Sequence, residues 1–192
     1  IPDGVKTIGY RCFSESGLSS INLPRSITIV ERAAFSDCPN LSTVNLSEGL
    51  ITIGESAFSD CPKITNIVIP RSVTSIGNWA FSGCTGLKNI ILSDNITTIG
   101  NEAFMNCSGL TNIVIPNAIT TIKSSCFNGC SNLTDVTIPF SVKDIEHNAF
   151  AECKSLKDIY YTGTTDEWRA IKIGNNNDYL SNTNFAFIGC FP

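Results

Sequence analysis

Charged side chains are scarce in this chain of 192 residues, and the balance between them is slightly acidic. Asp, Glu, Lys and Arg make up 16% of the sequence, with 13 basic residues against 17 acidic ones. This balance offers no electrostatic footprint for a phosphate backbone, so nucleic acid is not expected as a partner. No apolar run approaches the length that spans a bilayer, so the sequence predicts no transmembrane segment.

Histidine, the residue that most often works as a catalytic base, occurs only once. Hydrolytic chemistry needs a nucleophile, a base and an orienting group within reach of one another. His147 stands beside Glu146 at a repeat position that other units fill with unrelated residues, which indicates a solvated side chain. The sequence therefore predicts no catalytic residue, no metal site and no cofactor, and we expect a protein that is not an enzyme.

Most of the chain instead consists of a sequence repeat of 23 residues. Three residues after a repeated Phe there is usually a Cys, and three residues later a Leu or Ile opens the pattern L-x-x-I-x-I. Alternating apolar residues such as Ile113 and Ile115 predict a short strand with one buried face. A Pro often follows, and Pro suits a strand end because it lacks an amide hydrogen. The repeated phenylalanines are Phe13, Phe35, Phe58, Phe81, Phe104, Phe127 and Phe150.

One unit has too few apolar side chains to form a core by itself, so the units are expected to stack as the coils of a solenoid. Stacking aligns equivalent side chains in ladders and places neighbouring strands about 4.8 Å apart in a parallel sheet. The rest of each unit is long enough for the crossover that parallel strands need.

The frame L-x-x-I-x-I-P-x-S-V-T-x-I-G-x-x-A-F-x-x-C, found with small departures at 64–84 and 87–107, resembles BspA-like leucine-rich repeats. The resemblance covers residues 1–163. It implies a leucine-rich-repeat solenoid of α/β-type repeats, mostly β and irregular, with a parallel β-sheet on its concave face. It also implies a secreted or cell-surface protein used in adhesion and protein recognition, without catalytic residues.

After residue 163 the period breaks, and we expect residues 164–192 to form a C-terminal capping unit of the same domain. Thr165 is a candidate N-cap, followed by acidic residues and by Trp168, a pattern that favours a short helix. Phe185 and Phe187 indicate a final strand, with Cys190 as a further candidate. A solenoid needs such an atypical end unit, because its last coil would otherwise expose the core.

Nine cysteines raise the question of disulfides or metal ligands. Cys12 and Cys126 occupy the small position before Phe, where a buried thiol suits the packing. The regular spacing of the others favours reduced thiols in one ladder. Disulfides between neighbouring thiols of a ladder are the alternative, but a short Cα distance alone does not give disulfide geometry. Cys190 lies outside the ladder and is predicted to be the most reactive thiol. The ladder consists of Cys38, Cys61, Cys84, Cys107, Cys130 and Cys153.

The residue between the two isoleucines of each strand must point away from the core. In the later units these residues form an apolar stripe, and Phe140, just past a strand end, extends it. Exposed apolar area marks a partner site, but β-propensity and cross-strand packing select the same residue types. The candidate ligand-binding residues are Val68, Ile91, Val114, Thr137, Phe140 and Tyr160.

A polar row flanks the stripe two positions earlier in each strand. It is suited to binding sugars or peptide amides, or to forming a hydrogen-bonded ladder of its own. The function we expect is an extracellular adhesion or interaction module that binds a protein or glycan through the concave strand face. The alternative is a structural spacer within a larger cell-surface protein, and the oligomeric state stays open. The row is Thr43, Asn66, Asn89, Asn112, Asp135 and Asp158.

Overall fold

The computed structural model describes residues 1–188 as a stack of parallel coils with almost no helix. Each complete coil contains a longer strand, a shorter strand and a tight turn around the repeated Phe. The longer strands are β2 (Ser20–Asn22), β4 (Thr43–Asn45), β6 (Asn66–Val68), β8 (Asn89–Ile91), β10 (Asn112–Val114), β12 (Asp135–Ile138), β14 (Asp158–Tyr161) and β16 (Asn184–Phe187). The shorter strands are β1 (Thr7–Ile8), β3 (Ile29–Val30), β5 (Thr52–Ile53), β7 (Ser75–Ile76), β9 (Thr98–Ile99), β11 (Thr121–Ile122), β13 (Asp144–Ile145) and β15 (Lys172–Ile173).

At most junctions, strands of one kind pair in parallel with their equivalents in the neighbouring coil, which confirms the predicted solenoid. The shorter strands form the sheets β1-β3-β5-β7-β9 and β11-β13-β15. The longer strands form β2-β4, β6-β8 and β10-β12-β14-β16. The register joins residues one repeat apart, for example Val68 with Ile91. This register brings like side chains together in ladders.

The repeated phenylalanines form the centre of the core. Phe35 and Phe150, with the four repeated phenylalanines between them, are fully buried, and successive rings stack with centroids 5.2–5.6 Å apart from Phe13 to Phe150. The isoleucines, valines and leucines of both strand types surround this stack, so that the core is continuous from coil to coil. The burial and stacking of these rings confirm the prediction that equivalent side chains align in ladders inside the stack.

The turn around each Phe forms a third ladder of backbone hydrogen bonds. The amide of Phe58 donates to the carbonyl of Ala80 at 2.8 Å, and the equivalent bond joins Phe81 to Ala103. Two residues per turn have left-handed backbone angles, such as Glu102 (φ 57°) and Asn106 (φ 59°). The left-handed region is unusual for residues other than Gly, so the regular hydrogen bonds between turns must offset its cost.

The last described segment continues the stack with a different local structure. The helix α1 (Thr165–Arg169) begins one residue earlier than predicted, because Thr164 and not Thr165 is its N-cap and forms a capping box with Glu167. A 3-10 helix at Asp178–Asn182 precedes β16, which supplies the predicted final strand. The strands β15 and β16 pair directly with β13 and β14 of the repeats. The division into residues 1–163 and a capping unit at 164–192 stays a prediction. Cys190 lies outside the described residues.

Candidate functional site

The outer side of the longer strands carries the strongest candidate for a functional surface. Each strand turns its middle residue inward, as buried Ile90 shows, and the residues on either side of it outward. Val68, Ile91 and Val114 are 60%, 62% and 61% exposed. Three aliphatic side chains with most of their surface in water, on consecutive coils, form an apolar stripe that the fold itself does not bury.

The later members of the predicted site lie on the same side but are covered to different extents. Thr137 pairs with Val114 on one side and Tyr160 on the other, and both Thr137 and Tyr160 are half-buried. Phe140 is 53% exposed and lies past the end of β12, where its backbone amide donates to the hydroxyl of Thr162 at 2.9 Å. The outward orientation that the sequence predicted is therefore confirmed, whereas binding by these residues stays a prediction.

The polar row beside the stripe forms part of a ladder within the protein. The amide of Asn89 donates to the side-chain oxygen of Asn66 at 2.9 Å. Asp158, further along the row, accepts a hydrogen bond of 3.0 Å from Asn184. The alternative of a row that partly satisfies its own hydrogen-bonding groups is thus supported. Among the described residues, the side chain of exposed Asn112 bonds only to the adjacent Thr111, at 3.3 Å, so it keeps capacity for a partner.

An open groove of about 610 Å³ runs beside Val68 and Ile91, and its rim was missed by the sequence analysis. Glu48, Arg71 and Asp94 line it, each exposed and without an ion pair in the described part of the chain. They occupy the same repeat position as Phe140. Reading that position in every unit would have shown the alternating charges, which supply polar contacts around an apolar centre.

The cysteine ladder is confirmed as a set of buried free thiols, which bond to the turns around the repeated Phe, as Cys107 does to the carbonyl of Phe81. Burial raises the pKa of Cys107 and Cys130 well above the ordinary value of 9.0, because a thiolate would be desolvated there. Protonated, covered thiols are neither nucleophiles nor ready metal ligands. Cys12 is exposed although its repeat position predicts burial, because no described coil packs on its outer side.

His147 is exposed, as predicted, and its surroundings do not form a catalytic triad. Its Nδ1 lies 3.2 Å from the hydroxyl of Ser124, which donates to Glu146 at 2.7 Å. The single hydroxyl hydrogen of Ser124 is donated in the hydrogen bond to the Glu146 carboxylate. It does not point at the imidazole, so His147 does not activate that oxygen as a base. Partial burial acts to raise the pKa of Glu146, but hydrogen bonds from Ser124 and Lys123 outweigh it and hold the pKa below 4.5. Lys123 and Glu146 therefore form an ion pair between neighbouring coils, with Ser124 bonded to the same carboxylate.

Parallel coils of about 23 residues around aligned aliphatic and Phe ladders define a leucine-rich-repeat solenoid. Residues 1–74 and 51–176 match the model of the BspA type leucine rich repeat region, in six copies. The chain therefore belongs to the BspA-type leucine-rich-repeat family. No curated protein matches the chain.

Solved bacterial leucine-rich-repeat proteins share the fold. One from Bacteroides ovatus is 26% identical with a TM-score of 0.75, over 98% of this chain and 50% of that one. The Treponema protein described as T. pallidum Leucine Rich Repeat protein is 26% identical with a TM-score of 0.75, over 97% of this chain and 83% of that one. A protein from Eubacterium ventriosum, 18% identical with a TM-score of 0.54, covers 100% of this chain and 66% of that one. This chain thus spans about half the length of the Bacteroides protein, and among its described residues no helix is long and apolar enough to cross a membrane.

Proposed function

We propose that this solenoid is a non-catalytic interaction module that binds another protein across the outer side of its longer strands. The observation that carries the proposal is the exposure of Val68, Ile91 and Val114 on consecutive coils, at 60–62% each. Solvent-exposed aliphatic residues in register gain free energy when a partner covers them, by about 25 cal/mol for each Å² of apolar surface removed from water.

The chemistry of this surface favours a protein partner over a glycan. The stripe is aliphatic at its exposed centre, and burying the hydroxyls of a sugar against it would cost free energy unless each found a hydrogen bond. A protein can present apolar side chains to the stripe and polar groups to its rim. Arg71, with Glu48 and Asp94 on either side of it, supplies the charged rim that such interfaces often have.

The proposal includes a location outside the cell, where the resemblance to BspA-like proteins supports adhesion. A tag fused to the whole protein should then be accessible to antibody on intact cells. Detection only after the cells are broken would contradict this location without touching the binding proposal.

Binding can be tested with paired arrays of extracellular proteins and of glycans, probed with the wild type and three variants. Ile91→Ser and Tyr160→Ala remove apolar surface from the stripe. Ile51→Ser is the matched control, because Ile51 is 47% exposed on the side of the shorter strands. We expect retention on a protein, weakened about tenfold or more by Ile91→Ser and not by Ile51→Ser.

Other outcomes would overturn the proposal in distinct ways. Equal retention of Ile91→Ser and the wild type would remove the stripe from the binding site. Retention on glycans alone would replace the protein partner by a sugar. No retention on either array would favour the structural spacer. The circular dichroism spectrum and melting temperature of each variant must match those of the wild type, which shows that the fold survives.

A further inference from the structure

Both strand ladders are interrupted at one and the same place in the stack, between the coil of β8 and β9 and the coil of β10 and β11. The five-stranded sheet ends at β9, and the three-stranded sheet begins at β11. The longer strands show the same division, because within residues 1–188 β8 pairs only with β6 and β10 only with β12. At each of the other junctions between described coils, at least one strand ladder is continuous.

The amides on the two sides of this junction show the difference directly. One coil earlier, Thr97 donates to the carbonyl of Thr74 and Gly100 donates to that of Ile76, both at 2.9 Å. The equivalent amides of Thr120 and Lys123 have no backbone acceptor across the junction within residues 1–188. A cleft of about 170 Å³ separates the two shorter strands there.

On the side of the longer strands, the bonds across the junction in the described part of the chain are long, and both come from Thr111, whose hydroxyl lies 3.5 Å from the carbonyl of Lys88. The amide of Thr111 lies 3.4 Å from the carbonyl of Lys88, at the weak end of the range for hydrogen bonds. At the next junction, the amide of Thr134 donates to the carbonyl of Thr111 at 2.8 Å, and the amide of Ile115 donates to the carbonyl of Thr137 at 3.0 Å.

The turn ladder, in contrast, continues across the junction without a break. The backbone amide of Glu102 donates to the carbonyl of Ser124 at 3.0 Å, and the amide of Phe104 donates to the carbonyl of Cys126 at 2.9 Å. The rings of Phe104 and Phe127 stack with centroids 5.5 Å apart, as in the other coils. Two coils that are fully bonded along the turn side, only weakly bonded along the longer strands and separated along the shorter strands can rotate about the turn side, because rotation there breaks the fewest contacts.

We infer that this junction is a pivot, about which the two halves of the solenoid rotate with the turn ladder as the axis. The stripe crosses the pivot between Ile91 and Val114, so rotation changes the spacing between its two halves. Resting on the proposed function, the inference adds regulation of that site: a partner that bridges Ile91 and Val114 selects one angle of the pivot.

The pivot can be tested by distance measurements between pairs of spin labels on the exposed side of the shorter strands. The test pair, Ile51→Cys with Lys143→Cys, spans four coil steps and crosses the junction. The control pair, Lys6→Cys with Thr97→Cys, spans four coil steps without crossing it. Both pairs are made in a background with Cys12→Ser and Cys190→Ser, and both mean distances should be about 19 Å plus the labels, from about 4.8 Å per step.

We expect a clearly broader distance distribution for the test pair than for the control pair. Hydrogen exchange of the unmodified protein gives an independent measurement, in which the amides of Thr120 and Lys123 should exchange at least about tenfold faster than those of Thr97 and Gly100. Equal widths together with equal exchange rates would overturn the pivot.

The distance and exchange measurements need no partner, so they separate this inference from the proposed function. A pivot detected in a protein whose Ile91→Ser variant binds normally would leave the pivot standing and remove its role in binding. Binding through the stripe with equal label distributions and exchange rates would leave the proposed function standing and remove the pivot.

Discussion

The thiol of Cys107 donates a hydrogen bond to the backbone carbonyl of Phe81 in the preceding coil, with 3.1 Å between sulfur and oxygen. A carbonyl has two lone pairs, and in this turn the amide of Cys84 uses the other. A thiol is small and apolar enough for the core and still supplies the donor, which explains why the repeat places Cys there. The same bond joins Cys38 to Phe13, Cys61 to Phe35, Cys84 to Phe58, Cys130 to Phe104 and Cys153 to Phe127.

Cys107→Ala is expected to lower the free energy of unfolding by about 1–3 kcal/mol, because it removes a buried hydrogen bond and leaves a small cavity. Urea denaturation measures the change. Cys12→Ala is the matched control, since Cys12 is exposed, and it should change the free energy by less than about 0.5 kcal/mol. Equal effects of the two substitutions would show that the bond contributes nothing.

Phe104→Ala should cost about 3–5 kcal/mol of stability, as for other large-to-small changes in a core. The ring is fully buried and stacks between those of Phe81 and Phe127. Phe140→Ala provides the comparison, because that ring is 53% exposed, and its loss should cost less than about 0.5 kcal/mol. Denaturation midpoints that do not distinguish the two variants would contradict the Phe ladder as the core.

The buried thiols should make the protein less stable at alkaline pH. Burial raises the pKa of Cys84 and of Cys153 from 9.0 to about 12. Between these values the unfolded chain loses a proton that the folded protein keeps, so the free energy of unfolding falls as the pH rises, by about 1.4 kcal/mol per pH unit for each thiol. The contribution is complete below pH 9 and lost by the time the pH passes the folded pKa.

Urea denaturation of the wild type and Cys84→Ala at pH 8 and pH 10.5 isolates one thiol. The variant should lose less stability between the two pH values than the wild type does. An equal loss in both proteins would mean that Cys84 does not titrate differently in the folded and unfolded states.

A thiol reagent should distinguish Cys12 from the buried thiols in the native protein. Cys12 is exposed, whereas the six ladder thiols and Cys126 are buried. In a Cys12→Ser, Cys190→Ser variant we expect no rapid modification under native conditions and modification of all seven remaining thiols in urea. Rapid modification of a ladder thiol in native buffer would contradict the protection that the structure indicates.

The repeat predicted the coil period, the inward side chains and the outward stripe correctly, because these depend on local alternation and on burial. The second ladder of shorter strands was not predicted as a sheet, since strands of two residues such as Thr52–Ile53 leave too short a pattern. The exposure of Cys12 was missed for a different reason. Its repeat position specifies a small residue, but burial depends on a neighbouring coil that the position does not report.

The candidate site was only partly predictable. Val68, Ile91 and Val114 follow from strand alternation alone. The groove beside them also depends on the backbone path after each strand, which places Glu48 and Asp94 on its rim.

The sequence by itself determined that equivalent residues 23 positions apart meet in ladders, because one coil cannot bury its own apolar side chains. The separation of each pair of neighbouring coils was decided only in the tertiary structure. Hydrogen bonds between coils form or fail over a few tenths of an ångström. The Thr-Ile strand β9 pairs with the Ser-Ile strand β7 but not with β11, which is also Thr-Ile. The thiol bond from Cys107 to Phe81 and the interrupted ladders beside Ile91 both depend on this separation between neighbouring coils.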